Sequence, residues 1–435
     1  MPLTRRAALI GALLAAPAVR SADRDGPVVI VGAGAAGLAA ADLLRQAGRR
    51  CTVIEARDPI GGRAHTETGL GPDCPFDAGA EYVHWAERNP WRAVAEREGV
   101  RIAGQEGWAP TLFVDGRPAT DSERTRRRAA FSGLDEALKP RDGLDRSLAA
   151  AAAVVGPDMA QAAAGLARLS LGEEPERVSA LDYDRLWSGT DLWLDGYGSL
   201  VRRRFATMPV ALGTAATAID WSGGGVRVAT TEGTLDAAAV ILTVPIGVLT
   251  SGVIRFTPDL PDSTRDALGG LGMGAYSKVG LRLDPARIDL KAVGDAVSVA
   301  RRGDQDRTIY FEVSPFDRPL AVANIGGDGS RALCDLGEAA AVAEVTDRLV
   351  AILGGRARGA VTAGKLAGWW TDPFARGSYS IARPGHADAR TVLQAPIGDR
   401  IFLAGEAYAG GGAMTVGGAT LDGERAGQAV LRMLG

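Results

Sequence analysis

Four consecutive apolar residues, Val28–Val31, open a segment that reads strand, glycine turn, helix, strand. An unbroken apolar run of that length suits a strand buried on both faces of a parallel sheet. Alanine and leucine then recur at helical spacing from about Ala35 to Ala47, and Gly48 closes the helix. A second run, Cys51–Ile54, gives the next strand and ends at Glu55. Near the other end, Ile401–Ala404 reads as a short buried strand, Gly405–Glu406 as a turn, and Val416–Leu434 as a terminal helix. Between them, residues 209–245 suggest short strands around a turn at Ser222–Gly225, with a further strand running into Thr243 and Pro245. Residues 120–180 carry Ala, Arg and Leu at helical spacing and predict a helical cap, with the arginine run 126–128 on a solvated face. Ala275–Leu283 alternates like a strand, with Val279, Leu281 and Leu283 on one face and Lys278, Gly280 and Arg282 on the other.

With 435 residues the chain has room for two or three domains, and its 46% hydrophobic and 23% charged content is that of a globular protein. A formal net charge of −3 argues against nucleic acid or an anionic membrane as the main partner. Three cysteines form no complete disulfide framework or zinc pattern, and three separated histidines (His65, His84, His386) make a metal site unexpected. At the N-terminus, Arg5 and Arg6 precede a short apolar run and small residues at Ala16 and Ala18. Residues 1–22 therefore read as a signal peptide for the Tat export machinery, placing the mature protein in the periplasm or outside the cell. A Sec signal and an uncleaved anchor are the alternatives, but the run is short for a stable membrane anchor.

The first turn carries chemistry. Gly32, Gly34 and Gly37 form G-x-G-x-x-G: the first permits the tight turn, the second lets backbone approach a pyrophosphate, and the third lets helix and strand pack closely. Ala36 lies in the helix start, whose free N–H groups favour phosphate. Glu55, about twenty residues on, suits ribose hydroxyls. Glu55, Ala56, Arg57, Gly61, Gly62 and Arg63 then extend the pattern to E-x-R-x-x-x-G-G-R, which resembles FAD-binding oxidoreductases rather than simple NAD dehydrogenases. Gly61 and Gly62 let the chain pass close to a pyrophosphate, and Arg63 adds a positive charge near it. The glycines at 410–412 leave room for a ring system, and the helix start at Thr415–Val416 favours negative charge on a reduced flavin.

Taken in order, these segments resemble the flavin-dependent amine oxidases, a family that includes monoamine oxidases, polyamine oxidases and flavin-type histone demethylases. The resemblance rests on the glycine turn with Glu55, on Gly61–Gly62–Arg63, and on "FDAGAEYVHW" with Gly79, Ala80 and Glu81. It continues through "LDGYGSLV", "TVPIGVL", Lys278, "WWTDPFARGSY" and "AGEA…TVGGA…GERAG". It implies an α/β fold with a discontinuous Rossmann-type FAD-binding domain (24–83, 194–268 and 390–435). A substrate domain (84–193 and 269–389) would add a mixed sheet and the cap. Ala216, Thr243, Pro245, Gly405, Glu406, Thr415 and Val416 would then line the flavin. Ser378 stands where monoamine oxidases carry the flavin-attaching cysteine, which implies a non-covalent FAD.

By the same resemblance Lys278 holds a water against the flavin, where an arginine would present a bulkier, permanently charged fork. From the strand alone, an ordinary solvent-facing lysine is the plainer reading. Trp369 would pack near the flavin and Tyr379 would wall an amine substrate through its ring face. Trp370 and Phe374 read as core aromatics. Thr415 occupies the place of the second tyrosine of the monoamine oxidase cage, a form closer to some polyamine oxidases. Tyr82 and His84 join the substrate pocket, His84 being either a substrate neighbour or a structural histidine, and Glu81 would meet a distal ammonium or a flavin edge. The implied activity is oxidation of a C–N bond in a polyamine or monoamine, with dioxygen as acceptor. An L-amino-acid oxidase, which needs an arginine aimed at a carboxylate, and a flavin-binding protein without turnover are the alternatives.

Overall fold

The computed structural model describes residues 25–435 apart from 105–109, 141–142, 291–293 and 303–304. The expected leader at 1–22 lies outside these described residues. Five parallel strands form one sheet in the order Val210–Ala211, Cys51–Ile54, Val28–Val31, Ala239–Leu242, Ile401–Leu403. The first strand in sequence sits in the middle and later strands are added on both sides, as in doubly wound α/β sheets.

Strand alternation divides the apolar residues of Val28–Val31 between two cores. Val28 and Ile30 pack with Leu38, Leu44 and Val430, while Val29 and Val31 pack with Ile219, Val226 and Val228. The first core is covered by helices Ala35–Gln46 and Val416–Leu434, which lie against each other. Their approach depends on Gly423, where a Cβ would come within 2.1 Å of the Ala36 carbonyl oxygen. The second core lies beneath a smaller sheet of Ala216–Asp220, Val226–Thr230, Gly233–Ala237 and Arg255–Thr257.

A seven-stranded sheet stands opposite, in the order Val361–Ala367, Tyr276–Leu283, Leu320–Gly326, Gln305–Val313, Ala296–Arg302, Thr111–Val114, Arg117–Pro118. Val279, Leu281 and Leu283 face Ala341, Val345 and Leu349 of helix Glu338–Leu353, the face that the alternation gives them. The opposite face is covered where Lys278 and Gly280 stand, and only Arg282 at its end is partly exposed. Lys278 is 3% exposed, and a Cβ at Gly280 would come within 2.6 Å of the Phe76 ring. The solvent-facing reading of Lys278 is thus corrected: at this position the strand is covered on both sides.

The cap is helical, with Asp121–Ser132, Leu134–Leu138, Leu148–Ala153, Pro157–Leu171 and Ala180–Asp184. Its first helix begins at a capping box in which Thr120 and Glu123 satisfy each other's backbone N–H groups. The arginine run on this helix is only partly solvated: Arg127 and Arg128 reach the wall of the large cavity described below.

Gly423→Ala is expected to destabilise the helix pair by about 1–3 kcal/mol, the usual effect of overpacking a close contact. A thermal melt showing a wild-type Tm would contradict the packing described here.

Candidate functional site

A cavity of about 1450 Å³ runs between the parallel sheet and the seven-stranded sheet, roofed by the cap. Its first end is built by the glycine turn. Gly32 takes a left-handed φ of +106° and packs on the Thr243 hydroxyl, which donates to the Val31 and Gly32 carbonyls (2.9 and 3.1 Å). Gly37 is set against the turn, since a Cβ there would come within 1.9 Å of the Gly32 oxygen. Gly34 differs: nothing lies within 4 Å of where its Cβ would be. Gly62, at φ +60°, runs alongside Gly34, and the Gly61 N–H donates to the Ala33 carbonyl (2.9 Å).

Glu55 closes this end. Its carboxylate accepts from the Ala33 N–H (2.7 Å) and the Arg57 N–H (2.9 Å), so it orders the turn while still facing the cavity. Ala36, Ala56, Gly79, Ala80, Ala216, Pro245, Gly405 and Val416 also reach the wall. A glycine-lined strip open at Gly34, beside a helix N-terminus and a carboxylate, fits the phosphates and ribose of a dinucleotide. The chain therefore has the residues to hold FAD.

Two arginines have partners that the sequence did not show. Arg63 reaches the cavity, and one nitrogen of its guanidinium meets Glu406 (2.9 Å) and the Ser378 carbonyl (2.8 Å). Burial works to raise the Glu406 carboxyl, but Arg63, Arg390 and the Ser380 hydroxyl outweigh it and hold it below the usual carboxylate range. Arg57 is ion-paired with Asp372, and its guanidinium lies 5.5 Å over the Trp369 ring. Trp369 is fixed by its indole N–H, which donates to the Ala78 carbonyl (2.8 Å). Phe374 is not a core residue: it is 43% exposed and lines the cavity beside Arg57. Trp370 is half-buried under Arg331 (4.6 Å), at the surface of the fold rather than within it.

The other end is acidic and aromatic. Lys278 Nζ lies 2.7 Å from Glu81 Oε2 and donates to the Asp77 carbonyl (2.9 Å). Glu312, 2% exposed, accepts from Asn324 (3.1 Å). Burial pushes the Glu312 carboxyl well above its ordinary range; Glu81 adds to this and Lys278 opposes it. Asp77 is pushed up to about 6 by burial, against hydrogen bonds from Thr66, Tyr197 and Gly198 and the Lys278 charge.

Tyr379 donates its hydroxyl to the Ser170 carbonyl of the cap (3.2 Å), with its ring 6.0 Å from Tyr276. Tyr82 lies between His84 (5.9 Å) and Trp193 (6.2 Å), and His84 Nδ1 pairs with Asp191 (3.0 Å). Thr415 reaches the wall, but its hydroxyl is committed: it donates to the Gly412 carbonyl (2.7 Å) and accepts from the Gly418 N–H (2.9 Å) as a helix cap.

Every residue expected at the site lines this cavity except Gly37, which supports it from behind. Sequence reasoning missed Tyr276, Glu312, Asp191 and Asp372. Tyr276 was within reach, two positions before Lys278 on the same strand face. Glu312 interrupts the apolar run "TIYFEV", a visible anomaly. Asp191 and Asp372 are brought in by tertiary folding alone.

The family profile "Flavin containing amine oxidoreductase" matches residues 115–431, and "NAD(P)-binding Rossmann-like domain" matches residues 30–97. The chain is 30% identical over 291 residues to "Probable polyamine oxidase 4" of Arabidopsis thaliana, covering 60% of this chain and 58% of that protein. It is 25% identical over 452 residues to "Polyamine oxidase 4" of Oryza sativa subsp. japonica, covering 95% and 90%. "Lysine-specific histone demethylase 2" of Homo sapiens is 25% identical over 434 residues, where the chain spans 52% of the relative's length. A solved structure of putrescine oxidase bound to putrescine superposes with a TM-score of 0.74 at 20% identity, covering 94% of this chain and 99% of that one. At that identity the likeness shows the fold.

Gly34→Ala is expected to leave the melting of the apoprotein within about 0.5 kcal/mol of wild type, as for a substitution into open space. FAD binding, measured by titration of the apoprotein, should weaken by at least about tenfold, or ~1.4 kcal/mol.

Proposed function

Because the chain belongs to the flavin containing amine oxidoreductases, we propose that it is an FAD-dependent amine oxidase acting on a C–N bond of a polyamine or monoamine. The overall reaction would turn amine, dioxygen and water into aldehyde (or ketone), the released nitrogen compound and hydrogen peroxide. The carrying observation is the Lys278–Glu81 ion pair, buried where the dinucleotide cavity meets a wall of tyrosines. FAD would supply the two-electron acceptor that takes a hydride equivalent from the carbon beside nitrogen. Ser378, whose hydroxyl donates to the Gly274 carbonyl (2.9 Å), offers no thiol for a covalent flavin link.

The chain's own residues bind and orient. The ring faces of Tyr82, Tyr276 and Tyr379 attract a cationic amine. Glu81 and Glu312 set two carboxyls around a single lysine at this end of the cavity, and their oxygens are acceptors that an ammonium can use. Lys278 has three N–H donors; Glu81 and the Asp77 carbonyl take two, leaving one for a water or a substrate group. Asp191 fixes the His84 ring through Nδ1, leaving Nε2 as its second polar atom.

One observation favours a second reading. An L-amino-acid oxidase needs a cation for the substrate carboxylate, and Arg124, Arg127 and Arg128 line the cavity from the cap. The polyamine oxidase relatives and the acidic far end weigh for the amine. Export by the Tat machinery to the periplasm or beyond remains part of the proposal, supported by Arg5 and Arg6 ahead of the apolar run.

The test is an anaerobic visible spectrum of the FAD-loaded protein with putrescine, spermidine, spermine, benzylamine and L-amino acids. Bleaching by an amine, with peroxide formed on admitting air, is expected; bleaching by amino acids alone would select the second reading.

Lys278→Met should retain FAD but slow a flavin half-reaction by about 10²-fold, the scale of losing one preorganised donor. It should also be less stable by about 3–5 kcal/mol, because Glu81 is left buried without its partner. Lys278→Met/Glu81→Gln should regain much of the stability and none of the rate. Stopped-flow and thermal melts of the two variants separate the effects.

A further inference from the structure

Behind the acidic end of the main cavity lies a second pocket of about 220 Å³. Its wall includes Asp77, Asp195, Ser199, Arg203 and Arg318, and two residues it shares with the main cavity, Glu81 and Glu312. These two carboxyls therefore form a partition, with the amine site on one side and the second pocket on the other. Arg203, on the pocket wall, has a side chain that is 53% exposed to solvent. A pocket of this size has room for several waters, and its carboxyls and guanidinia supply the polar partners that waters need.

The outer rim is held with some strain. Ser314, Phe316 and Asp317 all take left-handed φ values (58°, 52° and 64°), uncommon for non-glycine residues. Phe316 is pinned by the Trp193 ring at 4.7 Å and by the Arg101 guanidinium at 5.2 Å, while Arg101 pairs with Asp317 (3.1 Å). Arg318, beside it, is ion-paired with Asp195 at the pocket wall.

The amine reading of the site, on which this inference rests, creates a need for such a route. At neutral pH the substrate arrives as an ammonium, which has no lone pair to drive loss of hydride from the neighbouring carbon. One proton must leave before oxidation, and a substrate seated under the cap occupies the main cavity itself. We propose that Glu81 and Glu312 form a proton path along which the proton shed by the bound ammonium passes through the second pocket to solvent. In the step, R–CH2–NH3⁺ and a Glu81 carboxylate become R–CH2–NH2 and a carboxylic acid. The proton moves on through Glu312 to pocket water and out, leaving the pair as it began.

The surroundings suit that role. Glu312 is faced by Lys278 and Tyr276 from their strand, Asn324 from the next, Tyr310 from its own strand, Glu81 and Tyr82 from the opposite segment, and Asp295 nearby. Burial, with Glu81 and Asp295 adding to it, favours a proton on Glu312 against the opposing Lys278 charge, while Arg203 and Arg318 stand on the pocket side. The buried Asn324 Oδ1 has no donor among the described residues, and a protonated Glu312 carboxyl is a donor of the kind it lacks. Asp77 is engaged differently, by Thr66 and two backbone N–H groups, and stands outside the path.

The test uses the FAD-loaded protein with Glu312→Gln, Glu312→Asp and Ser199→Leu, the last filling the second pocket away from the amine site. Infrared difference spectra across a pH titration should show a protonated-carboxyl band that Glu312→Gln lacks and Glu312→Asp keeps. With whichever amine of the panel bleaches the wild type fastest, Glu312→Gln should lose one ionisation from the pH profile of flavin reduction. Ser199→Leu should slow proton release to a pH indicator and raise the solvent deuterium isotope effect on reduction, with FAD content unchanged. If the band survives in Glu312→Gln, or if reduction profile and proton release match wild type in both variants, the path is overturned. If no amine bleaches the wild-type flavin, the amine reading fails, and this proposal with it.

Discussion

A lysine ammonium buried to 3% exposure exists in this fold because a glutamate meets it at 2.7 Å. Removing two such ions from water costs several kcal/mol each, so their placement is worthwhile only where geometry and extra hydrogen bonds repay it. Lys278 comes from the seven-stranded sheet, whereas Glu81 and the Asp77 carbonyl come from the segment that follows the Gly61–Gly62 turn. The pair thus joins the sheet that walls the substrate end to the chain that approaches the dinucleotide end. It also sets the polarity of the cavity where they meet.

A second buried network closes the cavity from the opposite direction. Glu406 accepts from Arg63 (2.9 Å), from the Ser380 hydroxyl (2.7 Å) and from the Met414 N–H (3.2 Å). Arg390 donates to Ser380 (2.6 Å) and pairs with Asp182 on the last cap helix (2.9 Å). Charges therefore alternate from the glycine turn, through the C-terminal segment, to the cap. Arg63 acts here as a strut, which its place in the sequence motif did not disclose.

The parallel-sheet half of the molecule was legible because its signals are local. Val28–Val31, Cys51–Ile54 and Val416–Leu434 stand at the bounds their apolar patterns give, and Ile401–Leu403 is one residue shorter than expected. The glycines were legible for the same reason, since turn geometry and close approach leave no other residue. The burial of Lys278 was hidden: strand alternation names two faces but not what covers the second one. The partners of Arg57, Arg63 and His84 lie 315, 343 and 107 positions away, and no periodicity links such separations. Thr415 reaches the cavity wall as expected, but that its hydroxyl caps the terminal helix was not visible in the motif.

In the function proposed, the reacting carbon of an amine meets the flavin where the Lys278–Glu81 pair joins the tyrosine wall. A crystal structure of the FAD-loaded protein, soaked anaerobically with a polyamine, tests it most directly. The flavin ring is expected in contact with Lys278 or a water that it holds, and the amine nitrogen among Tyr82, Tyr276 and Tyr379. A flavin ring remote from Lys278, or an amine seated beside Arg124 and Arg128 instead, would contradict it.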